Sequence, residues 1–223
     1  MTIDLYRDGN LIGIEIDVDG VIKDKFRIST PGKFSSYNAM SAILTCHLMG
    51  IDVECIKRAL IDFSVKGRVE PVWVSDRFTL LIDYAHNGIS TESILTTIRE
   101  YNPKRIVTIF GCGGNRSKDR RYEMGESAGK YSDYCIITED NNRFEEFEDI
   151  ANDILIGMNK TDCEYKMISD RKDAIKYAIE NGQDGDIIML IGKGHEDYKE
   201  IKGVKYPFDE RVIIKEILDE LKK

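Results

Sequence analysis

Several signatures that would assign this 223-residue chain to a broad class are missing. No apolar run approaches the roughly 20 residues needed to cross a bilayer, and the opening MTIDLYRDGN lacks the basic-then-apolar layout of a signal peptide. These absences predict a cytoplasmic protein with no membrane contact. Lys and Arg are outnumbered by Asp and Glu, giving a formal charge of -8, which excludes the dense basic face that nucleic-acid phosphates require. The five cysteines (Cys46, Cys55, Cys112, Cys135, Cys163) form no CxxC pair and no zinc spacing, so reduced thiols are expected. His47, His86 and His195 share no helical face or local spacing, and no nucleophile stands at a telling distance from any of them. Neither a metal centre nor a hydrolytic triad is predicted. Repeats, low-complexity tracts and long linkers are absent as well.

What the chain has is enough apolar content, 42% of residues, to fill a sizeable core. Residues 1–30 alternate apolar and polar side chains around Asp19-Gly20, which predicts a β-meander. Helical spacing follows over 37–49 and 53–63, broken at Gly50. Beyond Gly67-Arg68 the pattern changes. Short apolar runs near 79–83, 105–110, 134–138, 164–168 and 186–191 alternate with amphipathic segments near 89–101, 119–131, 145–158, 171–181 and 209–222. That alternation predicts an α/β fold with a mostly parallel sheet flanked by helices.

In such a sheet the strand C-termini share one rim, where ligands bind. The rim would carry DYAH (83–86), GCGGNR (111–116), EDNNR (139–143), SDR (169–171) and GKGHE (192–196). Two familiar loops are excluded. A dinucleotide fingerprint needs a third glycine where Arg116 stands, and a Walker A loop needs glycine at Ile187 and Ser or Thr at Gly194. A glycine-rich strand end serves a tight turn as readily as a binding loop. Arg116, Lys118, Arg120 and Arg121 are open to two readings also, a solvated basic face or an anion site. Glu145 to Asp149 is expected to open a helix and complement its dipole, and Trp73 and the tyrosines are expected to be packing residues.

Taken together, GKFSSYNAMSAI, GRVE, LLIDYAHN, FGCGGNRSKDRR, TEDNNR, DRKDAI and GKGHEDY resemble, in register, the C-terminal part of the Mur ligases, in the branch that adds the third amino acid of the peptidoglycan stem. The resemblance covers nearly the whole chain. It implies that residues 67–223 form the family's Rossmann-like, amino-acid-binding C-terminal domain. Residues 1–66 would then be the last portion of the central ATPase domain, a β-hairpin and two helices whose exposed apolar face invites self-association, a covering partner or partial disorder. The family's phosphate loop and magnesium ligands would lie upstream. Family chemistry uses ATP and Mg2+ to phosphorylate a substrate carboxylate, and an amine then attacks the acyl phosphate. Without a phosphate loop this chain is not expected to perform that step alone, or to hold ATP or Mg2+ tightly.

By matching motif, the resemblance places Asn38 against adenine, Arg68 at the phosphates and Asp83 at the ribose, with Tyr84 and His86 shaping the nucleotide surface. Arg116, Asn141, Arg143, Gly192 and Glu196 would line the amino-acid pocket, with Lys118 a weaker candidate. For meso-diaminopimelate, Arg143 with Asn141 could grip the distal carboxylate while Glu196 accepts from the distal ammonium; lysine would leave Arg143 unpaired. The implied co-substrate is UDP-MurNAc-L-Ala-D-Glu. Three positions depart from the family pattern: Asn142 replaces the proline of DNPR, RRY at 120–122 replaces KRP, and Asn87-Gly88 replaces threonine-proline. A non-catalytic amino-acid or nucleotide-binding module and a ligase for lysine or another amino acid stand as alternatives.

Overall fold

The structure, a computed structural model, describes residues 2–9 and 11–222. It divides into two compact units, one of residues 1–65 with 97–102 and one of residues 66–96 with 103–223.

In the first unit, strands β1 (Thr2–Asp8), β2 (Leu11–Asp19) and β3 (Lys23–Ile28) form an antiparallel meander in the order β1-β2-β3. Alternation dictates its faces, because successive side chains of a strand point to opposite sides. Ile14, Ile16 and Val18 on β2 fall on one side with Phe26 and Ile28 on β3 and are buried. Helices α1 (Ser35–Leu48) and α2 (Val53–Asp62) close over that side through Ala39, Ile43, Ile56 and Leu60. Burying each large aliphatic or aromatic side chain here contributes about 1.5–3 kcal/mol. Between the helices Gly50 adopts φ +79°, and Asp52 caps α2 by accepting from the N–H groups of Glu54 and Cys55. Tyr101 donates its hydroxyl to Gly13 O at 3.0 Å and accepts from Gly32 N at 2.9 Å. The unit has its own core, yet Tyr37, Leu48 and Met49 remain about three-quarters exposed.

The second unit is a six-stranded sheet, β4 (Glu70–Val72), β5 (Thr79–Asp83), β9 (Asp186–Ile191), β6 (Arg105–Phe110), β7 (Tyr134–Ile137) and β8 (Glu164–Met167) in spatial order. Only β4 runs antiparallel to its neighbour. Helices α3 (Gly88–Arg99), α4 (Lys118–Tyr131), α5 (Phe147–Met158), α6 (Arg171–Glu180) and α7 (Glu210–Leu221) supply the flanking layers, the last turn of α3 being grouped with the first unit. The central strands β5 and β9 are buried at every position, as continuous apolar runs in a covered parallel sheet must be. Leu80, Ile82, Val107, Ile109, Ile188 and Leu190 pack with Ala174 and Ile175 of α6 and Ile214 and Ile217 of α7.

The five expected strands and the helices that follow them are present within a few residues of the ranges read from the sequence. Two features went unpredicted. Strand β4 is three residues long, and the hairpin of β10 (Tyr198–Ile201) and β11 (Val204–Pro207) consists of two four-residue strands, none of whose positions is buried. Helix α5 begins later than expected, at Phe147, which leaves Glu145 outside it and free for another task. Trp73, expected as a packing residue, is 68% exposed.

Strand order determines what can meet at the rim. β9, late in sequence, lies between β5 and β6, so the chain reverses direction across the sheet at that point and leaves a crevice beyond the strand ends. The loops after β5, β9, β6 and β7 are therefore neighbours. A fully buried ion pair braces the same end: Arg171, at the start of α6, donates to Glu210 Oε1 at 2.9 Å, to Ile191 O at 3.0 Å and to Glu139 O at 3.3 Å. Removing one member of such a pair strands the other charge, which is why the cost of breaking it singly runs to several kcal/mol.

Candidate functional site: a bipolar cleft at the strand ends

The loop after β6 lies against the loop after β7 with almost no space between their backbones. A Cβ on Gly111 would stand 2.1 Å from Thr138 O, and one on Gly114 would stand 1.8 Å from Asn142 O. Neither glycine has positive φ, so close approach, and not backbone freedom, is what these positions demand. Gly114 N donates to Asn141 O at 2.8 Å and joins the two loops.

The four cations that follow divide into two pairs. Arg121 is buried, donating to Glu145 at 2.8 Å, to Asp153 at 2.9 Å and to Gly113 O at 3.2 Å. Its hydrogen bonds hold the Glu145 carboxyl down at about pKa 2, so that group is a fixed anion over the ordinary pH range. Lys118 is tied to Asp153 at 3.2 Å. Arg116 and Arg120 are exposed and have no ion pair among the described residues. Of the four, the motif assigns Arg116 to the pocket, with Lys118 the weaker candidate; Arg121 and Lys118 are engaged by carboxylates, while Arg116 and the unassigned Arg120 are not among the described residues so engaged.

After β7, Arg143 adopts φ +52°. Its guanidinium donates to Gly114 O at 2.7 Å and to Glu200 Oε2 at 3.2 Å. The hairpin β10–β11 holds its backbone, with Arg143 N donating to Glu200 O at 2.9 Å and Lys202 N to Arg143 O at 2.6 Å. The hairpin anchors the residue that follows Asn142, the position where the family pattern has proline. Arg143 is thus partly engaged before any ligand arrives, a difference from the sequence expectation of a freely gripping fork. Asn141 is buried, donating through Nδ2 to Glu196 Oε2 at 2.8 Å and accepting at Oδ1 from Glu200 N at 2.9 Å.

These residues enclose a cleft of about 140 Å³ bordered by Arg116, Arg120, Asn141, Arg143, Gly192 and Glu196. All five residues assigned by motif to the amino-acid pocket are among them. Tyr84 and His86, assigned to the nucleotide surface, border the same cleft. Arg68 lies over the Tyr84 ring, 5.1 Å from its centroid, and the rings of His86 and His195 each stand 4.8 Å from that of Tyr84. Asp83 is buried, and burial pushes its carboxyl above the usual range. Its oxygens accept from Val69 N at 2.9 Å and Ala85 N at 2.8 Å, so its work in the free chain is to brace the turn that presents Arg68. Asn38 belongs to the first unit, where it lines an apolar cavity of about 320 Å³ with Ile28, Ala39, Leu60 and Phe63.

Three cleft groups escaped the sequence reading. Asp140 and Arg120 border the cleft, and Lys193 lies buried behind it. Arg120 was read only as part of a basic run, and Lys193 only as a phosphate-loop lysine in the wrong setting. Cys112 also borders the cleft, but burial pushes its thiol up to about 12, which removes it as a nucleophile near neutral pH. Among the described residues no group of three His, Cys, Asp or Glu side chains could hold a metal ion, and no helix is long and apolar enough to cross a membrane.

A mostly parallel sheet flanked by helices, with a charged cleft at its switch point, defines a Rossmann-like α/β domain. Residues 67–194 match the family described as Mur ligase, glutamate ligase domain, and the chain belongs to the Mur ligase family. The UDP-N-acetylmuramoyl-L-alanyl-D-glutamate–2,6-diaminopimelate ligase of Caldanaerobacter subterraneus subsp. tengcongensis is 45% identical over 201 residues, covering 90% of this chain and 42% of the relative. That of Aquifex aeolicus is 46% identical over 196 residues, covering 87% and 40%. A solved structure of a ligase of the same description superposes with a TM-score of 0.75 at 27% identity, over 99% of this chain and 45% of the other. A UDP-N-acetylmuramate-alanine ligase of Thermotoga maritima, 16% identical with a TM-score of 0.66, shares the fold, over 99% of this chain and 46% of its own. The chain spans about two-fifths of the length of the curated relatives it matches.

Asn142 offers a test of how the cleft loop is held. Its Oδ1 is buried without a partner, and its backbone N–H makes no hydrogen bond among the described residues. Asn142→Pro is therefore expected to stabilise the chain by about 0.5–1 kcal/mol, seen as a higher Tm in thermal unfolding. A lower Tm would mean that the asparagine amide, and not the hairpin, secures the loop.

Proposed function

We propose that this chain is the amino-acid-binding end of an ATP-dependent amide ligase that joins meso-diaminopimelate to UDP-MurNAc-L-Ala-D-Glu through an acyl phosphate. The observation that carries the reading is the pairing of charges in the cleft. Unpaired guanidinium groups of Arg116 and Arg120, with Arg143 beside them, share a cavity with the Glu196 carboxylate. A ligand with carboxylate and ammonium groups at both ends satisfies both signs, whereas lysine brings no distal carboxylate and leaves cationic groups unpaired. The names of the relatives support the same substrate.

Candidate nucleotide contacts lie in each of the two units, Asn38 in the first and Arg68, Asp83, Tyr84 and His86 in the second. An apolar cavity with one amide, Asn38, suits a purine ring, and Arg68 presents an exposed cation for phosphate. Asp83 is assigned to the ribose, with Tyr84 and His86 forming the surface beside it. The sequence contains no phosphate loop, and the described residues offer no acidic cluster for Mg2+, so no phosphoryl-transfer step is assigned to residues of this chain. That same absence favours a second reading, a binding module without turnover, which shares the cleft and its ligand. Tyr37, Leu48 and Met49 form the apolar surface through which we infer self-association or cover by a partner. Sedimentation velocity should show concentration-dependent association that weakens in Leu48→Glu; a monomer at every concentration would contradict self-association.

Titration calorimetry on the chain tests the ligand. meso-Diaminopimelate is expected to bind with a dissociation constant on the order of millimolar or tighter, and lysine distinctly more weakly. Arg116→Ala should weaken diaminopimelate binding by roughly 30-fold, or about 2 kcal/mol, as loss of a charge-assisted hydrogen bond requires. Equal affinity for lysine would redirect the reading to another amino acid, and no binding of either would remove it.

A further inference from the structure

Lys193, in the loop after β9, has a fully buried side chain, and nothing in the proposed chemistry uses it. Its ammonium stands 3.3 Å from Asn141 Oδ1, 3.4 Å from Glu196 Oε2 and 3.5 Å from Asp140 Oδ1. The Tyr198 and Phe208 rings lie about 6 Å away on its other sides. An ammonium taken wholly out of water requires compensating anions, and here both belong to residues that border the cleft. We infer that Lys193 is a positioning residue for the amino-acid cleft, holding the Asn141 amide and the Glu196 carboxylate in one orientation toward the ligand.

Hydrogen-bond polarity decides which way the Asn141 amide faces. Asn141 can turn its oxygen or its NH2 toward either neighbour, and the two arrangements are nearly equal in shape. Lys193 Nζ and Glu200 N are both donors and meet at Asn141 Oδ1, so the oxygen must face inward. The NH2 is then directed at Glu196 Oε2, 2.8 Å away. Lys193 also contacts that same carboxylate oxygen. Oε2 is thereby anchored twice, and Oε1 has no partner among the described residues and is left for a ligand. Without the ammonium, Asp140 and Glu196 would face each other across the floor of the cleft with only an amide between them. Both carboxylates would then turn toward solvent, carrying the Asn141 amide with them.

The inference rests on the diaminopimelate reading for its ligand but can be judged without one. Nitrogen-edited NMR of the full chain reports the Asn141 side-chain NH2 directly. In the wild type its hydrogens should exchange slowly, and in Lys193→Met exchange should be at least about tenfold faster, the local opening that a lost anchor permits. Calorimetry should show diaminopimelate binding weakened at least about tenfold by Lys193→Met, but less than about threefold when the same change is made in Glu196→Gln, because the lysine acts through that carboxylate. Should Lys193→Met fail to fold, Lys193→Gln, which keeps a donor without the charge, carries the same comparisons. Unchanged Asn141 exchange, or an equal loss of affinity in both backgrounds, would overturn the inference. A wild-type chain that binds no diaminopimelate while its Asn141 exchange responds to Lys193 would remove the proposed substrate and leave the positioning role standing.

Discussion

Everything at the rim depends on the contact between the loops after β6 and β7, where Gly111 meets Thr138 O and Gly114 meets Asn142 O at distances that exclude any side chain. Backbone against backbone is the tightest junction available to a protein, and interiors packed at crystal-like density transmit any displacement. A methyl group at either glycine would push the Asn141–Arg143 segment away from Arg116. It would also break the bond from Gly114 N to Asn141 O and the reach of Arg143 to Gly114 O. The same device recurs behind the site. A Cβ on Gly125 of α4 would meet Ile154 O at 2.2 Å, and one on Gly157 of α5 would meet Tyr122 O at 1.9 Å, so these helices also touch at glycines. That seating fixes where Arg121 finds Glu145 and Asp153.

Electrostatics then sorts the charges into those that hold the cleft and those that face a ligand. Arg121, Arg171 and Lys193 are wholly buried and each is compensated by carboxylates of neighbouring helices and loops, Asp153 of α5, Glu210 of α7 and Asp140 respectively among them. Such groups add little net stability, because desolvation offsets their attraction, but a misplaced partner is expensive, and this enforces one arrangement. Arg116 and Arg120 bear no such duty. A cleft whose walls carry both signs, with its fixed charges already satisfied, is prepared for a ligand that supplies both signs in return.

Much of this was legible in the sequence, and the reasons differ from part to part. The parallel strands announced themselves because β5, β6 and β9 are buried on both faces and so read as unbroken apolar runs. β4 and the β10–β11 hairpin did not, since β4 has three residues and the hairpin strands have only four each, too few for a pattern, with no buried position between them. The residues assigned to the amino-acid pocket could be carried over by motif because all lie in the short loops that follow β6, β7 and β9. The motif singled out Arg116, but composition alone could not show that Arg120 is free while Arg121 is buried, because that depends on Glu145 and Asp153 folding against Arg121. Lys193 was hidden because two of its three partners, Asp140 and Asn141, lie in another loop, 53 and 52 residues earlier. Trp73 shows the opposite error, an aromatic assigned to packing by habit of type when β4 leaves it outside.

The central claim is that the crevice between the loops after β5, β6, β7 and β9 binds an amino acid charged at both ends. Mapping backbone amide shifts while titrating meso-diaminopimelate into the labelled chain tests it most directly. The account predicts saturable changes concentrated in residues 84–86, 111–120, 140–143 and 192–196, with far smaller changes when lysine is titrated. Shifts confined to other surfaces, or an identical pattern and midpoint for lysine, would contradict it.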